Sequence, residues 1–335
     1  MKKASYSTPL DDKKVRCELC PHHCLLTDGK RGVCLTRQNR DGILYSLNYC
    51  RPVSLAVDPV EKKPLYHFYP GSSIFSTGPN GCTLKCSFCQ NFEISQDTLP
   101  VRKFPEDAII EKVCSSSSMG IAYTYSEPFI WFETIMNIGA EIKARGLKNV
   151  MVTNGFMEQK PLDELLNVVD AMNIDIKSMR PEFYTHLCKG KLEPVLASCE
   201  KVKKHAHLEI TNLVVTGEND TEKDFSALAR YIAQNLGKDT PLHLSRYFPR
   251  YKSNNPATPE ETVKTAWEIA KEYLNYVFIG NMESGDCSNT RCPSCNTLLI
   301  DRNGYFTKIH EKLGAATGNK RACCPKCGVD TGIIL

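Results

Sequence analysis

SIFSTGPNGCTLKCSFCQN, residues 73–91, joins a short apolar run to a loop that carries three cysteines. Ser73–Thr77 is rich in β-branched and aromatic side chains and predicts a strand. From there to about residue 280, strand-like runs alternate with longer segments of helical periodicity. Such repeated βα units predict a parallel sheet covered by helices, with functional groups on the loops that follow the strands. Cys82, Cys86 and Cys89 are therefore expected on a functional loop.

The alternation predicts an α/β fold, namely a partial (β/α)6 TIM-like barrel with an extension at each end. The predicted strands are Ser73–Thr77, Gly120–Thr124, Asn149–Thr153, Ala171–Ile176, His207–Val214 and Leu242–Ser245, with Tyr276–Ile279 as one further strand. The predicted helices are Pro105–Ser115, Pro128–Ala144, Pro161–Val169, Glu193–Lys204, Thr221–Leu236 and Pro259–Lys271. We expect three regions: 1–70, an N-terminal cysteine-rich region; 71–283, the barrel; and 284–335, a zinc-ribbon-like domain.

The composition is that of an ordinary globular protein, because 41% of the 335 residues are hydrophobic and 24% are charged. These values exclude the collagen-like, fibrous and disordered classes. A net charge of +4 is too small to predict a nucleic-acid or membrane partner. Met1–Lys14 lacks the apolar segment of a signal peptide, and no run approaches 18 consecutive apolar residues. We therefore expect a cytoplasmic protein.

Cysteine is the unusual feature of the composition, since the 17 cysteines are clustered rather than evenly spread. In a reducing cytoplasm, clustered cysteines bind metal more often than they form disulfides. Three groups are defined here: the central cysteines Cys82, Cys86 and Cys89; the N-terminal cysteines Cys17, Cys20, Cys24 and Cys34; and the ribbon cysteines Cys292, Cys295, Cys324 and Cys327. The sequence thus predicts a metalloprotein with three candidate metal centres.

The central cysteines have a spacing that suits an iron–sulfur cluster. Three thiolates on a short loop can hold three irons of a 4Fe-4S cluster and leave the fourth iron open, whereas a ferredoxin cluster takes four cysteines. An open iron can bind a substrate or cofactor, as the open position of a catalytic zinc does. Gly81 allows a tight turn before the loop, and Phe88 can shield the cluster. A zinc knuckle and three incidental cysteines are the alternatives.

The pattern Cys-x3-Cys-x2-Cys after a first strand, with an aromatic residue before the last cysteine, resembles the radical S-adenosylmethionine (SAM) enzymes. Tyr123–Pro128 stands where that superfamily has a glycine-rich SGGEP-like motif that contacts the SAM amino group, and here the glycines are replaced. TNG at residues 153–155 resembles the same motif of pyruvate formate-lyase activating enzymes. DIK at residues 175–177 resembles their DxK motif, whose lysine meets the SAM carboxylate.

This resemblance implies a 4Fe-4S cluster and SAM as cofactors. The residues implied to contact SAM, called the SAM-contact residues below, are Phe88, Thr124, Tyr125, Ser126, Glu127, Thr153, Asn154, Asp175 and Lys177. By the resemblance, Glu127 and Lys177 hold the two ends of the methionine moiety, and Asp175 and Asn154 shape the cavity. Asp175 and Lys177 are two residues apart and so share one face of a strand. With the central cysteines, these two are the expected catalytic residues.

A narrower resemblance extends over nearly the whole chain. CELCPHHC at 17–24, DPVEKKPLYHFYPG at 58–71, CSFCQNFEIS at 86–95, SRYFPRYK at 245–252 and the two terminal CxxC pairs resemble the AmmeMemoRadiSam-system radical SAM enzymes, relatives of the glycyl-radical activating enzymes. The resemblance implies an oxidoreductase that cleaves SAM reductively to a 5′-deoxyadenosyl radical, with flavodoxin or ferredoxin as the electron donor. The radical then abstracts hydrogen from an unidentified substrate, which can be a protein.

Three hypotheses differ in what loses the hydrogen. In the first, it is a glycine of a partner enzyme, and the chain is an activase. In the second, a small molecule, peptide or nucleotide is modified directly, with an auxiliary metal site. The lack of a ferredoxin-like insert after Cys89 favours the second, although pyruvate formate-lyase activases also lack it. In the third, the chain is a non-catalytic interaction protein with zinc at all three sites.

The ribbon cysteines form two CxxC pairs separated by 28 residues, which predicts a four-cysteine zinc ribbon. Leu298–Ile300 and Tyr305–Ile309 fit a hairpin that turns at residues 302–304 and brings the pairs together. Cys323 is a competing ligand, but Cys324 gives the proper spacing. A redox-active or cluster-binding tail is the alternative.

The N-terminal cysteines lie within 18 residues and can bind zinc or an iron–sulfur cluster, with His22 or His23 as a replacement for one of them. Either a structural metal knot docks on the barrel, or an auxiliary cluster serves substrate binding or electron relay.

Two further segments mix charged with apolar side chains. Residues 58–64 form either a solvated linker or, as the family resemblance suggests, a wall near the cavity. Residues 245–252 either bind an anionic substrate or a nucleobase, or pack as a loop through their aliphatic stems.

Overall fold

The fold is built around one eight-stranded sheet, in a computed structural model that describes residues 1–310, 313–315 and 321–335. Its strands are β1 (Ser54–Pro59), β2 (Ser73–Gly78), β3 (Gly120–Tyr123), β4 (Lys148–Thr153), β5 (Ala171–Asp175), β6 (His207–Val214), β7 (Leu242–Arg246) and β8 (Val277–Gly280). They lie side by side in chain order, and β2 to β8 are parallel. The predicted α/β class with a central parallel sheet is confirmed.

The sheet has one more parallel strand than the six predicted βα units, because the further strand suggested near residue 277 joins it as β8. Sequence reasoning missed β1, which pairs antiparallel with β2 at the edge of the sheet. Its sequence ends in Asp58-Pro59, and both residues are uncommon in strands. An edge strand tolerates them because one side of its backbone needs no sheet partner.

Six helices connect the parallel strands: α1 (Glu106–Ser115), α2 (Phe132–Ala144), α3 (Gln159–Leu165), α4 (Glu193–His205), α5 (Glu222–Tyr231) and α6 (Glu260–Lys271). All six lie within the predicted helical segments or differ from them at the ends. Pro128 begins a 3₁₀ turn, Pro128–Trp131, that leads into α2, as expected of a proline that follows a strand. Thr221 caps α5 through a reciprocal bond with Asp224.

The barrel interior is closed at the amino ends of the strands by the segment that follows β1. The Asn173 amide donates to the Pro64 carbonyl (2.8 Å). The Glu209 carboxylate accepts the backbone N–H groups of Tyr66 (2.9 Å) and His67 (2.7 Å). Asn173 and Glu209 are paired across β5 and β6, on the face that also carries Asp175. This segment is therefore part of the barrel floor.

Small sheets flank the barrel on both sides. The N-terminal strands are Lys2–Lys3, Ser7–Pro9, Val15–Cys17, Leu25–Leu26, Arg37–Arg40 and Ile43–Ser46. The C-terminal strands are Thr290–Arg291, Leu298–Asn303, Phe306–Ile309, Gly314–Ala315, Arg321–Cys323 and Asp330–Ile334. The N-terminal sheets are tied to the barrel by a buried ion pair between Arg37 and Glu133 (2.7 Å).

The C-terminal hairpin forms as predicted, but its turn is displaced. Asn303 pairs with Phe306, so the turn falls at Gly304 and Tyr305 rather than at residues 302–304. Arg302 stays in the strand because its buried guanidinium donates to the Tyr66 carbonyl (2.7 Å) and stacks on the Tyr66 ring. This tertiary contact, which no local pattern reveals, outweighs the turn preference of the sequence. Across the described ranges, no helix is both long enough and apolar enough to cross a membrane.

Candidate functional site

A cavity of about 440 Å³ extends from the carboxyl ends of the parallel strands into the barrel interior, down to the segment that follows β1. The loop after β2 contributes the central cysteines, and the loops after β3, β4 and β5 contribute the SAM-contact residues. Every central cysteine and every SAM-contact residue predicted from the sequence lines this cavity. The structure therefore brings together in one place residues that are up to 95 positions apart in the chain.

Hydrogen-bond donors lie next to two sulfurs of the central cysteines, those of Cys82 and Cys89. The Cys82 sulfur accepts from the Leu84 backbone N–H (3.4 Å) and from the Asn154 amide (3.5 Å). The Cys89 sulfur lies 3.1 Å from the Ser95 hydroxyl. Burial raises the pKa of the Cys82 thiol well above its usual value. A thiolate at this position needs a bound cation, and these donors suit the sulfurs of a metal cluster.

The separation of the sulfurs distinguishes the three cysteine groups. The ribbon cysteines are the one set of three or more His, Cys, Asp or Glu in the described ranges whose ligand atoms all lie within 4.8 Å of one another. Cys292 and Cys327 sulfurs are 3.5 Å apart, and those of Cys295 and Cys324 are 3.6 Å apart. A tetrahedral zinc with bonds of about 2.3 Å requires about 3.8 Å between sulfurs. The ribbon cysteines fit zinc, while the wider central cysteines fit a multi-iron cluster.

The N-terminal region packs against the loop that carries the central cysteines. Gly81 has a φ of +97°, and a Cβ there would lie 2.4 Å from the Cys34 carbonyl oxygen, so only glycine fits. The His22 ring donates through Nε2 to the Thr83 carbonyl (2.7 Å). The predicted tight turn at Gly81 is thus present, and the loop is clamped on both sides of Cys82.

Glu127 is buried at the centre of the cavity wall and accepts three hydrogen bonds. The donors are the Phe129 backbone N–H (2.9 Å), the Asn154 backbone N–H (2.9 Å) and the Thr153 hydroxyl (2.7 Å). Burial outweighs these donors and raises the pKa of Glu127 to about 7. A cationic group that enters the cavity would favour the ionised carboxylate.

Lys177 and Asp175 form an ion pair at the end of β5, with 3.0 Å between Nζ and Oδ2. Burial works against the charge on Lys177, but Asp175 and the Cys86 thiol outweigh it and hold the pKa of Lys177 well above its usual range. Lys177 is therefore a permanent cation on the cavity wall, and a carboxylate is the natural ligand for it.

Sequence reasoning missed several groups at this site. The Cys188 thiol hydrogen-bonds to Cys86, and the bond raises the pKa of Cys86, but Cys188 belongs to no cysteine motif. Lys62 and Lys63 line the cavity, as the family resemblance suggested for residues 58–64, but no role for either lysine followed from the sequence. Only the tertiary structure brings these groups to the cavity, because Cys188 is 102 positions from Cys86, and Lys62 and Lys63 are 20 and 19 positions from Cys82.

Arg246 and Tyr251 of residues 245–252 pack against the rest of the protein, whereas Arg250 and Lys252 are exposed. Arg246 is held by Glu260 (2.8 Å) and by the Thr258 carbonyl (2.7 Å). Tyr251 stacks on Phe92 with ring centroids 4.9 Å apart. The segment thereby supports the cluster loop, as the packing alternative predicted.

Comparison with known proteins agrees with this geometry. A sequence profile of the radical SAM superfamily matches residues 77–232, which include the central cysteines. The pyruvate formate-lyase 1-activating enzyme of Escherichia coli strain K12 is 24% identical over 196 residues, or 56% of this chain and 79% of that enzyme. Residues 77–232 form a radical SAM domain. The chain is also 42% identical, over the full length of both chains, to MJ0808 of Methanocaldococcus jannaschii, an uncharacterized protein.

The fold comparison points the same way. A radical SAM methyltransferase from Sphaerobacter thermophilus matches with a TM-score of 0.51 and 16% identity, over 63% of this chain and 67% of that one. At this identity the likeness concerns the fold alone. The radical SAM domain and the similarity to a pyruvate formate-lyase activating enzyme support a SAM-cleaving radical enzyme with an iron–sulfur cluster, and they argue against the non-catalytic zinc hypothesis for the central cysteines.

Proposed function

We propose that this radical SAM enzyme binds its 4Fe-4S cluster through Cys82, Cys86 and Cys89 and cleaves SAM in the adjoining cavity. The observation that carries the proposal is the convergence of these three thiols with Glu127 and Lys177 on one cavity. The cluster and SAM, when bound, supply the 5′-deoxyadenosyl radical that removes a hydrogen atom from the substrate. The protein supplies position, charge and a site protected from water.

The cavity walls suit the two charged ends of the SAM methionine. Lys177 offers a cation for the carboxylate, and Asp175 fixes the direction of its side chain. Glu127 offers an anion for the amino group, and its three donors hold the carboxylate rigidly on the wall. Phe88 lies between two cluster ligands and packs on Phe183, which keeps water from that side.

SAM affinity should depend on pH through Glu127. Because the pKa of Glu127 is about 7, the fraction ionised rises about fivefold from pH 6 to pH 7. We expect the Kd for SAM to fall by about the same factor over this interval, before the SAM amino group loses its proton near pH 8. Calorimetric titration of the anaerobic enzyme measures this. Glu127→Gln should bind SAM weakly at both pH values, and an unchanged pH profile in that variant would contradict the assignment.

The relationship to pyruvate formate-lyase activating enzymes supports an activase-like reaction, with a glycine of a partner protein as the hydrogen donor. Direct modification of a small molecule is the second candidate, and the positive charges of Lys62 and Lys63 at the cavity favour it. Deuterium placed on the α-carbon of glycine in a candidate partner distinguishes the two. Its appearance in 5′-deoxyadenosine, with a glycyl radical signal in electron paramagnetic resonance, supports an activase. Turnover with a small molecule and no partner supports direct modification.

The outer parts of the chain complete the proposal. We infer that the ribbon cysteines hold one structural zinc within a C-terminal domain of residues 284–335, and that residues 1–70 form an N-terminal metal region beside the barrel of residues 71–283. For the N-terminal cysteines, zinc and an auxiliary iron–sulfur cluster are the two candidates, and metal analysis distinguishes them. Flavodoxin or ferredoxin remains the expected electron donor.

A further inference from the structure

One wall of the cavity carries charges that SAM and the cluster do not require. Lys62 and Lys63 line the cavity, and both bind the same carboxylate, Asp58. The nitrogen–oxygen distances are 2.9 Å from Lys62 and 2.7 Å from Lys63. The Lys63 side chain is 2% exposed, whereas that of Lys62 is 46% exposed. Two ammonium groups thus share one carboxylate at the edge of a buried space.

The other charges of the cavity are accounted for. Lys177 pairs with Asp175, and Glu127 is the anion proposed for the SAM amino group. Lys62, Lys63 and Asp58 therefore leave a surplus of one positive charge on this wall. The buried Lys63 ammonium is neutralised by Asp58, so the surplus charge is that of Lys62, which is 46% exposed and partly hydrated. An anion that enters the cavity can pair with a lysine that has no carboxylate of its own.

Tyr125 links this wall to the SAM-contact loop at a cost in backbone strain. Its φ is +72°, a conformation that disfavours side chains with a Cβ, and the resembling motif has glycines in this stretch. The strain places the Tyr125 hydroxyl 2.9 Å from the Asp58 carboxylate and its ring under the Lys63 ammonium, 4.9 Å from the centroid. Such a conformation is sparsely populated by residues with a Cβ and persists only where the surrounding contacts hold it in place.

We propose that Lys62 and Lys63 form a substrate subsite for the carboxylate or phosphate of a small acidic molecule, whose C–H bond is then presented to the SAM side of the cavity. The inference rests on the proposed function, because it names the substrate class of the same site. Asp58 holds the two lysines in place before the anion binds. The bound anion then replaces Asp58 as the partner of one lysine. Tyr125 contacts Asp58 and belongs to the same loop as Glu127, so an anion bound at the subsite affects the position of that loop.

A small acidic substrate fits these observations better than a glycine-bearing protein segment. The backbone around a glycine is uncharged and would leave the surplus cation unmatched. Lys63 is also fully enclosed, so a ligand must reach it with a narrow anionic end. The inference therefore favours direct modification over the activase reaction.

The test uses anaerobically reconstituted, SAM-bound full-length enzyme and three probes: succinate, inorganic phosphate and uncharged succinamide. Calorimetric titration should detect succinate or phosphate, and not succinamide. Lys63→Gln should weaken anion binding about tenfold, since a hydrogen bond to a charged group is lost. Lys62→Gln changes the half-exposed neighbour and should weaken anion binding less than Lys63→Gln does. Because Lys62 is not buried, this variant tests the subsite even if Lys63→Gln fails to fold. Lys201→Gln, which removes a lysine paired with Asp163 on the outer surface, should change nothing.

Asp58→Asn separates an anion subsite from a merely structural ion pair. Removal of the competing carboxylate should tighten anion binding several-fold, whereas loss of a structural pair would weaken it as Lys63→Gln does. Preference for succinate over phosphate, or the reverse, identifies the acidic group. Equal binding of succinamide, or weaker binding in Asp58→Asn, overturns the inference. Failure of the wild-type enzyme to form 5′-deoxyadenosine from SAM and dithionite would instead overturn the proposed function, whatever the anions do.

Discussion

Cys86→Ala should form no detectable 5′-deoxyadenosine from SAM, a loss of more than about a thousandfold. Cys86 is the middle of the three central cysteines and is buried against Cys188. Without it, only two of the three thiolates that hold the cluster remain. The Cys188 thiol lies beside the vacated position but is carried by a different segment of the chain. Chromatographic quantification of 5′-deoxyadenosine after anaerobic reduction with dithionite measures the effect.

Cys199→Ala is the matched control for this variant. Cys199 is fully buried on α4, and its thiol lines no part of the cavity, so the substitution removes an equal volume without touching the site. Its SAM cleavage should stay within about twofold of the wild type. Comparable losses in both variants would mean that Cys86 acts through general stability. Full activity in Cys86→Ala would remove it from the ligand set.

Glu209→Ala should lower the free energy of unfolding by about 3–5 kcal/mol, the largest effect expected from a residue outside the active cavity. Glu209 is fully buried in the barrel floor. It accepts from His207 Nε2 (2.9 Å), His243 Nε2 (2.6 Å) and the backbone N–H groups of Tyr66 and His67. Its removal leaves all four donors buried without an acceptor, and each unmet donor is costly.

The stabilisation by Glu209 should also depend on pH. Burial alone would raise the pKa of Glu209, but His207 and His243 outweigh it and hold the pKa well below the unfolded value of 4.5. A group with a depressed pKa stabilises the fold fully above the unfolded pKa and loses this effect as the pH falls through the folded pKa. The difference between wild type and variant should therefore shrink in acid.

Urea denaturation at pH 7 and in acid measures both effects of the Glu209 substitution. Glu261→Ala, at an 83% exposed position on α6, is the control and should leave the urea midpoint unchanged. A Glu209→Ala midpoint equal to that of wild type at pH 7 would contradict the structural role. A stability difference that grows in acid would contradict the assigned sign.

The barrel and its catalytic loop could be predicted from sequence because their signals are local. Strand and helix periods repeat along the chain, and the central cysteines lie within one eight-residue stretch, 82–89, on the loop that follows a strand. Glu127, Asn154 and Lys177 each follow a strand, and parallel topology brings such positions to one edge of the sheet. Short motifs and one topological rule were sufficient for this part of the site.

The remaining features depend on contacts between distant parts of the chain. The run at residues 58–64 has the composition of a solvated linker, but Lys63 is buried because β1 carries the run beneath the barrel. Glu209 has no local motif, and its four donors come from three separate segments. Arg302 lies in a strand rather than in the predicted turn because it donates to the backbone carbonyl of Tyr66, 236 positions away. Periodicity carries no information about such partners.

The central claim, that three cysteines of one loop hold a four-iron cluster where SAM is cleaved, is tested most directly by metal analysis. Iron, sulfide and zinc are measured in the anaerobically reconstituted wild type and in a variant with Cys82, Cys86 and Cys89 all changed to alanine. The variant should lose four irons and keep the ribbon zinc, with four further irons surviving if the N-terminal cysteines hold a cluster. Equal iron in both proteins, or none in the wild type, would contradict it.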